Sequence, residues 1–174
     1  MTAVIREKYT VQLDEARILF LVGGHANNVF AFWDWFWVAR AFLNLIRYLR
    51  KHPDTGFLSG HLYLRVFPFG MMLQSYWRSF DDLEHFARAK NQPHLQAWTR
   101  YMQHTMKHGH MAIWHETYHI EPGKFEAVYG NSAPYGLAKN ATVVLTHGRQ
   151  HNARGRMNPQ DQQVAEEPLI PIAQ

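Results

Sequence analysis

The chain has no cysteine. That absence excludes disulfides, thiolate metal sites and a cysteine nucleophile, and it leaves the compartment open, with a reducing cytoplasm as the default expectation. No stretch approaches the ~20 apolar residues needed to cross a bilayer, so no membrane insertion is expected. Met1 to Thr10 has no apolar run behind its charges and does not read as a signal peptide. There is no Gly-rich phosphate loop, Walker motif, serine nucleophile elbow or internal repeat. A basic block interleaved with aromatics is missing too. The formal charge of +4 rests on scattered residues, with Arg149, Arg154 and Arg156 in a polar C-terminal stretch, so no nucleic-acid partner is expected.

Aromatics and histidine are plentiful: 6 Trp, 8 Tyr, 11 Phe and 12 His in 174 residues. A chain of this length folds as one domain burying roughly 70% of its unfolded surface. Aromatic side chains with interspersed histidine suit a small hydrophobic organic ligand.

Taken in order, Arg17 to Val22 is a continuous apolar run ending at Gly23-Gly24, the pattern of a strand buried on both faces. Asn27 or Asn28 can cap a helix that runs to about His52 and stops at Pro53. Its core stripe is Trp35, Val38, Ala39, Phe42, Leu45, Ile46 and Leu49. Trp33 and Trp37 fall on the opposite side with Arg40 and Asn44, and mark a partner surface, a pocket mouth or a place where later chain folds over them. The few basic residues there disfavour a membrane-surface helix. Residues 57–67 alternate: Leu58, Leu62, Leu64 and Val66 suit a helix-covered face, and Phe57, His61, Tyr63, Arg65 and Phe67 the other. Phe67-Pro68-Phe69-Gly70 turns the chain into a second strand, Met71 to Trp77.

Ser79 with Asp82 opens a short helix through Leu83 and Phe86, and Pro93 begins another. Gly109 ends it and leads into a β-branched, aromatic strand, His110 to Glu121. The order βαββαβ predicts an α+β, ferredoxin-like antiparallel sheet with helices on one face. Residues 1–147 are assigned to this domain and a C-terminal extension. Residues 148–174, rich in Gln, Asn, Arg, Pro and Glu, read as a tail that is disordered or ordered only by contact. His104 and His108 have metal-like i, i+4 spacing, but no carboxylate accompanies them, and no metal site is assigned.

Four pieces carry a resemblance: Tyr76-Trp77-Arg78-Ser79-Phe80-Asp81-Asp82-Leu83, His94-Leu95-Gln96-Ala97-Trp98, Ile113-Trp114-His115-Glu116-Thr117-Tyr118, and the run from Glu121-Pro122-Gly123-Lys124 through Pro134-Tyr135-Gly136-Leu137. Together they resemble the small monooxygenase family related to the fumagillin-pathway enzyme, within the antibiotic-biosynthesis-monooxygenase type of dimeric α/β barrel. The likeness runs from about Thr10 to Lys139. It implies a homodimer in which two bare sheet faces close a barrel, and an oxygenase acting on a hydrophobic natural-product scaffold.

In such a barrel chemistry without a cofactor needs a base, an anion stabiliser and an apolar wall. His115 or His94 is expected as the base, with Glu116 orienting a histidine and Arg78 or Arg65 stabilising the anion. His61, Tyr63, Arg65, Tyr76 and Tyr118 would line the substrate site, and Trp77, Trp98 and Trp114 would wall it. His115 and Glu116, as strand neighbours, point to opposite faces and cannot form a dyad, and one sequence leaves open which set faces the pocket. Other dimeric α/β barrels hold haem by one axial histidine, so a haem enzyme with His61, His94 or His115 as ligand is the alternative. A barrel that only binds a hydrophobic ligand or a partner is the third reading.

Overall fold

The structure is a computed structural model that describes residues 3–89, 95, 99, 101, 103 and 106–157. The chain divides into two compact units, 18–118 and 1–17 with 119–174.

The 18–118 unit holds a four-stranded sheet. Strands β2 (Arg17–Ala26), β3 (Phe57–Arg65), β4 (Gly70–Trp77) and β5 (Met111–Ile120) lie in the order β3-β4-β2-β5. β4 pairs antiparallel with both β2 and β3. The two middle strands are β2 and β4, and the helices α1 (Phe32–Lys51) and α2 (Phe80–Arg88) occupy the two crossover positions. This is the expected ferredoxin-like α+β arrangement.

Alternation decides which side chains the helices cover. Ile18, Ala26, Leu73, Trp77 and Met111 join Val38, Phe42, Ile46 and Leu49 of α1 and Leu83 and Phe86 of α2 in one buried cluster. The apolar stripe of α1 is as the 3.6-residue period predicts, although the helix starts at Phe32, and Ala31 offers no capping side chain. At α2, Ser79 Oγ accepts from the Asp82 amide at 3.1 Å. Its hydroxyl also donates to Asp82 Oδ2 at 2.8 Å. Ser79→Ala leaves that amide without its acceptor and is expected to lower stability by about 1 kcal/mol in urea unfolding.

Phe57 departs from simple alternation. It pairs with Trp77, while Ser59 pairs with Tyr76, so a bulge lies between them. The extra residue lets Phe57 turn into the helix-covered core, where its ring meets Trp77 edge-on at 5.7 Å. His61 and Tyr63, beyond the bulge, keep the opposite face.

The second unit is built on a three-stranded sheet, with β1 (Ile5–Gln12) between β6 (Tyr129–Ser132) and β7 (Thr142–Leu145) and antiparallel to both. Tyr9, Val11, Val143, Val144 and Leu137 are buried in it. Within the stretch read as a tail, residues 148–151 and 153–156 form helical turns. Buried Arg156 accounts for this order. Its guanidinium donates to Glu126 Oε1 at 2.6 Å and to the Gln150 carbonyl at 2.6 Å, both in the same unit. Residues 158–174 lie outside the described residues. No helix among the described residues is long and apolar enough to cross a membrane.

Candidate functional site

The face of the 18–118 sheet that α1 and α2 leave uncovered is set out in rows by strand register. His61, Gln74 and Leu21 form one row, and Tyr63, Met72 and Gly23 the next. Ser59, Tyr76 and Leu19 form the row on the other side of the first. On β5, Met111 belongs to the core, so Ala112, Trp114, Glu116 and Tyr118 alternate onto the helix-free face. The Trp114 indole lies over Gly23. A Cβ built on that glycine would stand 2.6 Å from Cε2 and 3.0 Å from Nε1 of Trp114. The missing side chain lets the indole lie close to the sheet.

Besides His61 and Ser59, two polar groupings sit on this face. Tyr63 Oη donates to Gln74 Oε1 at 2.8 Å, and Gln74 Nε2 donates to Tyr76 Oη at 3.1 Å, a relay crossing from β3 to β4. Tyr118 Oη donates to Glu116 Oε2 at 2.6 Å. That carboxylate raises the Tyr118 pKa above the ordinary tyrosine value, first through the hydrogen bond and then through its charge. Tyr118 therefore remains a donor across the neutral range. A flat apolar molecule on this surface would meet Trp114, Met72 and Leu21 with hydroxyl, amide and carboxylate groups at its edge.

The expected site residues separate into groups. His61, Tyr63, Tyr76, Trp114, Glu116 and Tyr118 share the helix-free face. Arg65 is at the hairpin end of β3, where its Nε donates to the Pro68 carbonyl at 3.0 Å. His115 is on the opposite side of β5, its ring 5.8 Å from that of Phe20, which packs on the helix-covered core. Trp77, expected as a substrate wall, is instead a core residue. It is 1% exposed, packed on Phe57 and Phe86, and its indole N–H donates to Ser75 Oγ at 3.0 Å. Arg78 is engaged by Asp82 through two bonds of 2.9 Å, and this pairing holds the Asp82 carboxyl below its usual pKa. The stability contributed by the pair is present above the ordinary aspartate range and lost as pH falls through the lowered value. His94 and Trp98 lie outside the described residues.

Gln74 was not singled out from the sequence. Its signal was present: a lone amide in the run Met71-Met72-Leu73-Gln74, on the parity opposite Leu73. Among the described residues, no group of three or more His, Asp or Glu is placed to hold a metal ion. A haem iron can be held by one proximal imidazole; of the histidines considered for it, half-buried His61 lies on the helix-free face and His115 on the helix-covered side.

The Monooxygenase af470-like family model matches residues 17–137, a range that contains the entire four-stranded sheet. The chain belongs to this family. Within the Monooxygenase af470-like family, it is similar to Monooxygenase af470 of Aspergillus fumigatus, at 35% identity over 66 residues. The match covers 37% of this chain and 23% of that protein, so the chain corresponds to less than a quarter of the curated relative it matches. Among solved structures, an aldoxime dehydratase crystallised with butyraldoxime superposes with a TM-score of 0.63 at 17% identity, covering 80% of this chain and 43% of that one. A second aldoxime dehydratase structure gives 0.63 at 15%, covering 80% and 44%. At these identities the likeness is one of fold.

Proposed function

We propose that this chain is a small oxygenase of secondary metabolism that takes an electron-rich aromatic substrate onto the helix-free sheet face and needs no cofactor. The observation that carries this reading is the Glu116–Tyr118 pair, set on the same strand face as Trp114. The family membership supports the reaction class.

Glu116 takes the base role in place of His115, because His115 is directed to the helix side. Its carboxylate removes a proton from a phenol or an activated C–H; the single Tyr118 O–H, which donates to Glu116 before that step, turns to the substrate oxygen once Glu116 is protonated. The substrate anion passes one electron to O2. The resulting radical and superoxide combine and take up a proton to give a hydroperoxide. Loss of water then leaves one oxygen atom on the substrate as a carbonyl. The Tyr63–Gln74–Tyr76 relay orients the far edge of the ring, and the apolar floor shields the radical pair from water. A homodimer pairing two such faces would close the site into a barrel, in a cytoplasmic setting.

The test is oxygen uptake by purified, chelator-treated protein offered a panel of electron-rich phenols. Uptake with one labelled oxygen atom in the product and one in water is expected. If no phenol or activated aromatic supports uptake, the reading fails. His61 supports a haem enzyme as the second reading, in which bound haem would supply oxygen or peroxide activation. On that reading haem titration gives a Soret band that His61→Ala abolishes.

A further inference from the structure

The outward side of α1 and the turn before it carry more than the two tryptophans that the period exposes. Phe30, Phe32, Trp33, Phe36 and Trp37 are all exposed, from 43% at Trp37 to 80% at Phe30. At 100° per residue Trp33, Phe36 and Trp37 lie on one stripe with Arg40, Leu43, Asn44, Arg47 and Lys51, all exposed. This stripe is opposite Val38, Phe42, Ile46 and Leu49, which are buried. The helix is thus apolar on both sides, and its outer side is divided along its length, aromatic in the first turns and cationic towards the end.

With Phe30, Phe32 and Phe36 exposed beside the two tryptophans and three cations on the same stripe, the expectation that too few basic residues lie here for a membrane surface is set aside. Four basic residues in α1 face a single acid, Asp34. Asp34 lies off the outward stripe and accepts from His110 Nδ1 at 2.8 Å. Among the described residues, no acid offsets Arg40, Arg47 and Lys51 on that side. A second copy of the same face would add three more cations and, among the described residues, no acid to offset them. Exposed aromatic rings spread along a convex helix suit an acceptor that moulds around them, as the headgroup region of a bilayer does.

We propose that the outward face of α1 docks this chain on an anionic phospholipid surface. The rings of Phe30, Phe32, Trp33, Phe36 and Trp37 enter the headgroup–acyl boundary, while Arg40, Arg47 and Lys51 meet lipid phosphates and carboxylates. The helix lies on the surface and does not span it, in keeping with its hydropathy. Such a position places the protein where apolar small molecules accumulate.

The proposal is tested by cosedimentation of the full chain with vesicles of phosphatidylcholine, alone or with about three parts in ten phosphatidylserine. Binding to the anionic vesicles, weakened by salt, and little binding to the neutral ones is expected. Trp33→Ser with Trp37→Ser should reduce partitioning tenfold or more. Arg40→Gln and Arg47→Gln should each reduce it about fivefold, at unchanged melting temperature. The arginine variants keep the test decisive should the tryptophan pair be needed for folding. Failure of the parent chain to bind anionic vesicles overturns the proposal. So does parent-like binding by the arginine variants, or a dimer in sedimentation that the tryptophan variant converts to monomer, which would assign the face to a second copy.

Discussion

Glu116→Gln is expected to lower turnover by roughly 10²–10⁴-fold, the range supplied by a positioned general base, while leaving substrate affinity nearly unchanged. The amide keeps the size of the carboxylate and can still accept from Tyr118, so the strand and the ring positions survive. It cannot take a proton from the substrate. The two effects separate in kinetics as a loss in kcat with KM held.

A second readout needs no substrate. Glu116 raises the Tyr118 pKa by accepting its hydrogen bond and by its charge, so in Glu116→Gln the Tyr118 pKa should fall back towards the ordinary tyrosine value. A difference titration of tyrosinate absorbance between the two proteins measures this directly. The direction also fixes where the pair matters to stability. With the Tyr118 pKa raised in the folded state, the contribution is complete below the ordinary tyrosine pKa and disappears as pH rises through the raised one. A variant with full turnover removes Glu116 from the base role, and an unmoved tyrosinate curve removes the pairing itself.

The parts of this fold that alternation and period encode were legible in the chain. The α1 stripe is an example, since each of Val38, Phe42, Ile46 and Leu49 falls one turn from the next. So is the β3–β4 hairpin, whose register puts His61 and Tyr63 opposite Gln74 and Met72. Register breaks were not legible. One bulged residue before Ser59 moves Phe57 into the core against its parity, and nothing in Phe57-Leu58-Ser59-Gly60 announces it. β1 was missed because Ile5-Arg6-Glu7-Lys8 reads as a charged terminus, while its buried half, Tyr9 and Val11, acquires partners more than a hundred residues later.

The candidate site shows the same division. Sequence placed His61, Tyr63, Trp114, Glu116 and Tyr118 as relevant and could not choose between the two faces of β5. That choice depends on one contact, Met111 with the helix-covered core, which sets the parity of every residue after it. Once it is fixed, His115 goes to the Phe20 side, and Glu116 is the one of the described catalytic candidates left on the helix-free face, with the base role proposed for it. Trp77 was expected at the wall because it is a tryptophan at a strand end. Its burial follows from sharing the parity of Leu73 and Ser75.

Gly23→Val is expected to move the Trp114 indole off the sheet and, with it, to remove the flat floor of the site. Gly23 has no positive φ, so its backbone accepts a side chain, and the effect is confined to packing. The new Cβ must displace the Cε2 edge of the indole, and valine adds two methyls in the same direction. Overpacking of this kind costs about 1–3 kcal/mol. The better strand propensity of valine offsets up to ~1 kcal/mol of it. Melting should therefore shift down modestly. Affinity for a planar aromatic ligand should fall about tenfold as the stacking contact is lost, a contact commonly contributing about 0.5–1.5 kcal/mol beyond its buried area. Gly130→Ala is the control, because a Cβ there meets nothing within 4 Å. Combining Gly23→Val with Trp114→Ala completes a cycle. If the clash is the cause, the double variant is more stable than the sum of the two single changes predicts. Strict additivity would mean that Gly23 and Trp114 do not touch in solution, and the aromatic floor would have to be sought elsewhere on the sheet.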